Sequence, residues 1–137
     1  MDDTLAKFHA DQIGTLPGLL GLHWTDARRG LVRGRLVVEK HHMAPTGYLH
    51  AATIVTLADT ACGFGCRLSL PTGAYGSTTA ELKSNFIGTV EDGAISCQAR
   101  SVHEGRTTQL WDAEVTSETS GKTLAIFRCT QILLYRR

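Results

Sequence analysis

Asp59 is the residue whose type and position most clearly indicate chemistry. It lies in the middle of Leu57-Ala58-Asp59-Thr60-Ala61, inside a nearly continuous run of small and apolar residues over 50–68. Burying an unpaired carboxylate is costly, so an acid persists in such a segment when it is paired, hydrogen-bonded or used in a reaction. In the last case it can serve as a general base or as a nucleophile. A structural role, in which Asp59 bonds a neighbouring hydroxyl such as that of Thr56, explains the position equally well.

The run over 50–68 predicts one helix that is apolar on most sides and is therefore surrounded by other structure. His50 opens this helix nine residues before Asp59. At 100° per residue the two side chains lie on opposite faces, about 13 Å apart along the axis, and cannot form an acid–base pair within one chain. The first-turn amides of Ala51 and Ala52 point out of the N-terminal end, where the helix dipole favours an anionic oxygen.

Two such helices lying antiparallel across a two-fold axis would bring the N-terminus of one to the middle of the other. The acid would then come from one chain and the amide from its partner. The sequence therefore predicts a homodimer; we also expect a dimer of dimers, which the sequence does not distinguish from a dimer.

The other elements are those that must enclose this helix. Residues 2–13 predict a short amphipathic helix, and residues 19–38 predict two paired strands that turn at Arg28-Arg29-Gly30. After a loop over 39–47 and the long helix, turn residues separate four more strands, predicted over 75–87, 93–103, 107–117 and 122–135. Strands joined by short turns form an antiparallel meander. A curved antiparallel sheet wrapped around one long central helix is the hotdog fold, of the α+β class.

Composition limits the class of protein. A chain of 137 residues, 42% hydrophobic and 20% charged, is sufficient for one globular domain over 1–137. Its net charge of +1 gives no overall attraction to phosphate backbones, so we expect no nucleic-acid partner. No apolar run is long enough to span a membrane, and the acidic, polar start lacks the layout of a secretory signal. We therefore expect a cytoplasmic protein.

Metal-binding patterns are weak in this chain. The four cysteines include no CxxC pair, so we interpret Cys62, Cys66, Cys97 and Cys129 as buried free thiols. We interpret His41 and His42 as a solvent-exposed pair in a loop, since no suitably spaced acid or cysteine accompanies them. No metal and no other cofactor is expected.

Three segments together resemble a known family. Gly47-Tyr48-Leu49-His50-Ala51-Ala52, followed by Leu57-Ala58-Asp59, is similar to the G-x-x-H-G-G…L-A-[DE] signature of hotdog-fold acyl-CoA thioesterases. Glu81-Leu82-Lys83-Ser84-Asn85-Phe86 resembles the E-L-x-x-N-[FH] strand of that family, and His103-x-Gly105-Arg106 resembles its H-x-G-R hairpin. The similar branch is the phenylacetic-acid-degradation type, with 4-hydroxybenzoyl-CoA and 1,4-dihydroxy-2-naphthoyl-CoA hydrolases. The matches cover most of residues 44–111.

This resemblance implies hydrolysis of an acyl-CoA thioester, with aryl-CoA among the candidates, to a free acid and coenzyme A. Coenzyme A enters only as part of the substrate. The resemblance gives Asp59 the role of general base or nucleophile and the Ala51 N–H that of oxyanion donor. We predict substrate contacts for Gly47, His50, Thr60, Thr78 and Thr79. We predict coenzyme A contacts for Lys83, Asn85, His103, Gly105 and Arg106.

The sequence departs from the family pattern at three positions. Ala51-Ala52 replaces the double glycine, Ala44 stands where an Asn or Gln is usual, and Gly63 stands where several relatives have Ser or Thr. Thr60, Thr78 or Thr79 could replace the missing polar groups. Two other functions stay open: a non-catalytic acyl-CoA binding domain, and a hotdog dehydratase that pairs His50 with an acid across the dimer. Four aromatic residues are candidates for an aryl pocket or for the core: Trp24, Phe64, Phe86 and Trp111.

Overall fold

The structure is a computed structural model and describes residues 3–137. Within the described residues there are three α-helices, α1 (Thr4–Asp11), α2 (Leu16–Leu20) and α3 (Ala51–Leu68), together with a short 3-10 helix (Lys40–His42). The six strands are β1 (His23–Arg28), β2 (Leu31–Val37), β3 (Ala74–Phe86), β4 (Ala94–Glu104), β5 (Thr108–Ser117) and β6 (Thr123–Tyr135).

The strands form one antiparallel sheet in the order β1-β2-β4-β5-β6-β3, and α3 contacts all six of them. Along β5 the side chains alternate: Trp111, Ala113 and Val115 are buried, while Asp112 and Glu114 are not. This alternation results from the two-residue period of a strand with one covered face. The structure confirms the predicted sheet around one central helix.

Small residues let α3 lie close to the sheet. Gly65 shows this best, because a Cβ at this position would lie 2.4 Å from the Trp111 ring. The indole, fully buried, therefore packs directly against the helix backbone. The four cysteines are free and buried, as predicted.

The order of the strands corrects the predicted meander. β4, β5 and β6 follow one another as expected, but β3 does not neighbour β4 and pairs instead with the far side of β6. The sheet therefore ends in a 13-residue strand whose outer backbone groups have no partner strand within the described chain. Turn residues around a strand indicate its ends but not its neighbour, so the sequence pattern was compatible with either order.

The N-terminal third differs most from the prediction. The predicted helix over 2–13 is observed as α1, residue 2 lying outside the described residues, and α2 occupies the place where a strand was expected to begin. Pro17 stands in the first turn of α2, where a missing N–H costs nothing. Gly21, with a φ of 76°, then ends this helix, and β1 begins at His23.

His42 is not the solvent-exposed loop residue that the sequence suggested. Its side chain is 1% exposed. Its Nδ1 accepts a hydrogen bond from the Glu39 N–H (2.9 Å), and its Nε2 donates to the Leu20 carbonyl (2.7 Å). The ring therefore ties α2 to the loop that leads into α3. The neighbouring His41 is exposed, as predicted.

Candidate active site

Asp59 lies on α3 where the helix faces the edge strand β3. Its carboxylate is half-buried, and Oδ1 accepts a hydrogen bond from Thr79 Oγ1 at 2.8 Å. Thr56, the alternative partner considered from the sequence, donates its hydroxyl to the Ala52 carbonyl instead (2.9 Å). Burial raises the pKa of Asp59, and the hydrogen bond from Thr79 opposes part of that increase. The site thus holds a carboxylate that binds a proton more readily than an exposed one.

Gln131 is a member of this site that sequence reasoning missed. Its Nε2 donates to Thr79 Oγ1 at 2.7 Å, and its side chain is 1% exposed. The signal that could have found it is positional: in β6 the residues 129, 131 and 133 face α3, and Gln131 is the polar one between Cys129 and Leu133.

A cavity of about 470 Å³ extends from Asp59 along α3. Thr60, Thr78 and Thr79 line it beside the acid, so the structure brings these three predicted residues together with Asp59.

The floor of this cavity is open because of Gly63 and Gly76, where an added Cβ would meet no atom within 4 Å. Phe64, Tyr75 and Arg67 line its far end. Of the four candidate aromatic residues only Phe64 lines it; the indole rings of the two tryptophans are core, and Phe86 is 45% exposed on β3.

The N-terminal turn of α3 leaves one amide available. His50 is the N-cap: its Nδ1 accepts from the Ala52 N–H (2.9 Å), and its carbonyl accepts from the Thr53 N–H (3.0 Å). The Ala51 N–H has no acceptor within residues 3–137. Of the two first-turn amides, that of Ala51 is therefore available to a ligand, whereas the imidazole of His50 occupies that of Ala52.

The acid and the free amide do not meet within one chain. Ala51 precedes Asp59 by eight residues, which is about 12 Å of helix. Gly47, in a turn with a φ of 91°, lines a different cavity of about 580 Å³ together with Ala44 and Pro45. Of the residues predicted to contact substrate, Gly47 and His50 thus lie at one end of α3 and the threonines at its middle.

Comparison with known proteins decides the family. Residues 46–124 match the model of the thioesterase superfamily. The chain belongs to the thioesterase superfamily. A 1,4-dihydroxy-2-naphthoyl-CoA hydrolase of Listeria monocytogenes is 35% identical over 96 residues, which cover 69% of this chain and 74% of that protein.

Solved structures agree with this assignment. A crystal structure of a mutant of thioesterase PA1618 from Pseudomonas aeruginosa has a TM-score of 0.90 at 26% identity, covering 96% of this chain and 94% of that one. The PaaI protein of E. coli, from the phenylacetic acid degradation operon, has a TM-score of 0.84 at 19% identity over 96% of this chain and 94% of its own, which shows the shared hotdog fold. The protein is therefore an enzyme of the hydrolase class.

The residues predicted to contact coenzyme A fall into two groups in this thioesterase. Lys83 and Asn85 lie on β3, opposite Arg128 and Ile126 of β6. The hairpin that holds His103, Gly105 and Arg106 lies near the other end of β6, where Leu133 donates its N–H to the Thr107 carbonyl and the Tyr135 hydroxyl donates to the Arg106 carbonyl. Arg128 and Leu133 are five residues apart, or about 17 Å. Within one chain the two groups of predicted coenzyme A contacts are therefore about 17 Å apart along β6.

Ligand atoms of Glu39, His41 and His42 lie within 4.8 Å of one another, as in a metal site. However, both ring nitrogens of His42 already bond the backbone of Glu39 and Leu20. This group is a structural hydrogen-bond cluster. Within residues 3–137, no helix has both the length and the apolar character needed to cross a membrane.

Proposed function

We propose that this thioesterase hydrolyses an acyl-CoA thioester to the free acid and coenzyme A, in a site shared by two subunits. Asp59 is the general base or nucleophile, and the N–H of Ala51 of the partner subunit binds the carbonyl oxygen. The observation that carries this proposal is the half-buried carboxylate of Asp59, hydrogen-bonded at one oxygen and facing an open cavity.

The second oxygen of Asp59 supplies the chemistry. Thr79 occupies Oδ1, which leaves Oδ2 to take a proton from water as that water attacks the thioester carbon. If Oδ2 attacks the carbon itself, water then hydrolyses the acyl anhydride formed on Asp59, which releases the acid and restores the carboxylate. The carbonyl oxygen becomes negative as the new bond forms. When the carbon–sulfur bond breaks, the thiolate of coenzyme A leaves with the electron pair and takes up a proton. Because a thioester is already an activated acyl group, one carboxylate and one oxyanion donor suffice for this reaction.

The Ala51 N–H is suited to the developing negative charge. It lies at the first helical position of α3, has no acceptor within the described residues, and is exposed at the positive end of the helix dipole. Since it lies about 12 Å from Asp59 of the same chain, the partner subunit has to supply it. The edge strand β3 supports an interface between two subunits. Its outer backbone groups have no partner strand within the described chain, and the side chains of Leu82 and Phe86 on this strand are 40% and 45% exposed.

The acyl group fits the cavity beside Asp59. Gly63 and Gly76 add no side chains to its lining, and the Phe64 and Tyr75 side chains line its far end. A groove of this kind accommodates a flat group between helix and strand. An aryl-CoA is therefore among the substrates we propose, in line with the naphthoyl-CoA hydrolase of Listeria monocytogenes.

Release of free thiol from a set of acyl-CoA thioesters tests the function. The set should contain acetyl-CoA, hexanoyl-CoA, 3-hydroxybutyryl-CoA, benzoyl-CoA and 4-hydroxybenzoyl-CoA, each with the wild type and an Asp59 variant. We expect Asp59-dependent thiol release for at least one aryl or alkyl thioester. Thermal stabilisation by these thioesters without thiol release would indicate the non-catalytic binding domain. Loss of water from 3-hydroxybutyryl-CoA without hydrolysis would indicate the dehydratase.

Arg106→Ala should raise KM for acyl-CoA about tenfold and change kcat much less. A guanidinium that binds remote phosphates contributes equally to the ground state and the transition state, and a charge-assisted hydrogen bond has this magnitude. Arg28→Ala, which removes an exposed arginine at the opposite edge strand β1, is the matched control and should leave KM unchanged. Acyl-pantetheine substrates, which lack the nucleotide, should not distinguish Arg106→Ala from the wild type. An equal loss on both substrates would contradict the phosphate assignment.

A further inference from the structure

The buried side chain of Gln131 lies at the wall of the cavity, and its amide is linked to Asp59 through the hydroxyl of Thr79. Three groups form a chain: Gln131 Nε2 lies 2.7 Å from Thr79 Oγ1, which lies 2.8 Å from Asp59 Oδ1. We infer that Gln131 is a positioning residue for the hydrolysis: it fixes the direction of the Thr79 hydroxyl, so that this hydroxyl holds Asp59 as an oriented carboxylate. The inference rests on the proposed role of Asp59.

The hydrogen-bond donors and acceptors of these three groups determine the direction of each hydrogen bond. An amide nitrogen only donates, an ionised carboxylate only accepts, and a hydroxyl has a single hydrogen to give. Because Gln131 Nε2 donates to Thr79 Oγ1, the hydroxyl hydrogen of Thr79 is directed to Asp59. If the amide were turned round, its oxygen would take that hydrogen. Two acceptors, Thr79 Oγ1 and Asp59 Oδ1, would then face each other at 2.8 Å.

The surroundings hold the amide in this orientation. Gln131 Nε2 also donates to Cys129 Sγ at 3.4 Å. Across the sheet its cross-strand neighbour is Gln109, whose amide is already used: Nε2 donates to the Ser69 carbonyl (2.9 Å) and Oε1 accepts from Trp111 Nε1 (2.8 Å). Gln109 is as buried as Gln131 but has no link to Asp59, so it is a natural control.

The electrostatic balance at Asp59 explains why such a residue is useful. Burial raises the pKa of Asp59, and only the bond from Thr79 lowers it. The titratable groups around the carboxylate are the thiols of Cys62 on α3 and Cys129 on β6, with Arg67 and Tyr75 at the far end of the cavity. Burial raises the pKa of Cys62 well above its usual range, so that thiol brings no charge. Without a directed hydroxyl, Asp59 would be protonated over a wider pH range and inactive as a base.

The test is the pH profile of kcat/KM for Gln131→Met, which keeps the side-chain length and removes the donor. We expect its acid limb to move up by about one pH unit, so activity on that limb falls about tenfold while the alkaline plateau changes less than about threefold. Thr79→Val should move the limb in the same direction. The double variant should move it no further than Thr79→Val alone, because both changes act through one hydroxyl.

Gln109→Met is the control for a merely structural loss, and it should lower the melting temperature without moving the limb. If Gln131→Met is unstable, Gln131→Glu, which is isosteric and adds a competing acceptor beside Asp59, should move the limb the same way. The inference would be overturned if Thr79→Val moved the acid limb of the pH profile and the Gln131 variants left it in place. That result would leave the proposed function intact. Full activity of an Asp59→Asn variant would instead remove the proposed function itself.

Discussion

Asp59→Asn should lower kcat about 10²- to 10⁴-fold while the protein stays folded and still binds acyl-CoA. Asparagine has nearly the same shape, and its carbonyl oxygen can still accept the hydrogen bond from Thr79. It cannot take a proton from water or attack a thioester. A purely structural aspartate would therefore survive the change in large part, whereas a base or nucleophile would not. Steady-state thiol release with the best substrate measures kcat.

The stability of the same variant provides a second measurement. The pKa of Asp59 is raised in the folded state, so its contribution to stability is greatest at low pH and is lost as the pH rises through the folded-state pKa. At pH 7 the half-buried charge destabilises the fold, and Asp59→Asn should melt at or above the wild-type temperature. This difference should shrink as the pH is lowered towards the range where aspartate is protonated. Unchanged hydrolysis with a markedly lower melting temperature would show that Asp59 is structural.

Ala51→Pro should lower kcat about 10²- to 10³-fold, the usual effect of removing one oxyanion donor. Ala51 is the first residue of α3, where proline is well tolerated, and its N–H has no acceptor within residues 3–137 that the change would leave unpaired. His50 has φ −68° and ψ 134°, the extended conformation that a residue before proline requires. The melting temperature should therefore stay close to that of the wild type. Ala51→Ser, which keeps the N–H, should retain activity within a few-fold.

A heterodimer of the two inactive variants tests whether the site is shared. If Asp59 and Ala51 act from different subunits, a dimer of one Asp59→Asn chain and one Ala51→Pro chain has one site with both changes and one with neither. It should regain about half of the wild-type activity. If each chain supplied its own pair, every site would keep one change and the heterodimer would stay inactive. Two differently tagged chains, co-expressed and purified through both tags, provide the sample.

The sequence by itself determined the elements that carry a local period. The long helix was predicted over 50–68 and is observed as Ala51–Leu68, and the strand predicted over 107–117 is observed as Thr108–Ser117. Asp59 could be singled out for the same reason, since an acid in an apolar helix stands out without any knowledge of its neighbours. Such features depend on residues within a few positions of each other.

The tertiary structure alone decided which distant groups meet. Thr79 and Gln131 are 52 residues apart, and they touch only because β3 pairs with the far side of β6. The same applies to His42, whose buried ring bonds the carbonyl of Leu20, 22 residues earlier in the chain. The alternation of apolar and polar residues along a strand is the same whichever strand it pairs with. A hydrogen bond between groups far apart in sequence depends on the distance between donor and acceptor to within a few tenths of an ångström. For this physical reason the acid was visible in the sequence, whereas its partner could not be chosen among Thr60, Thr78 and Thr79, and Gln131 was missed.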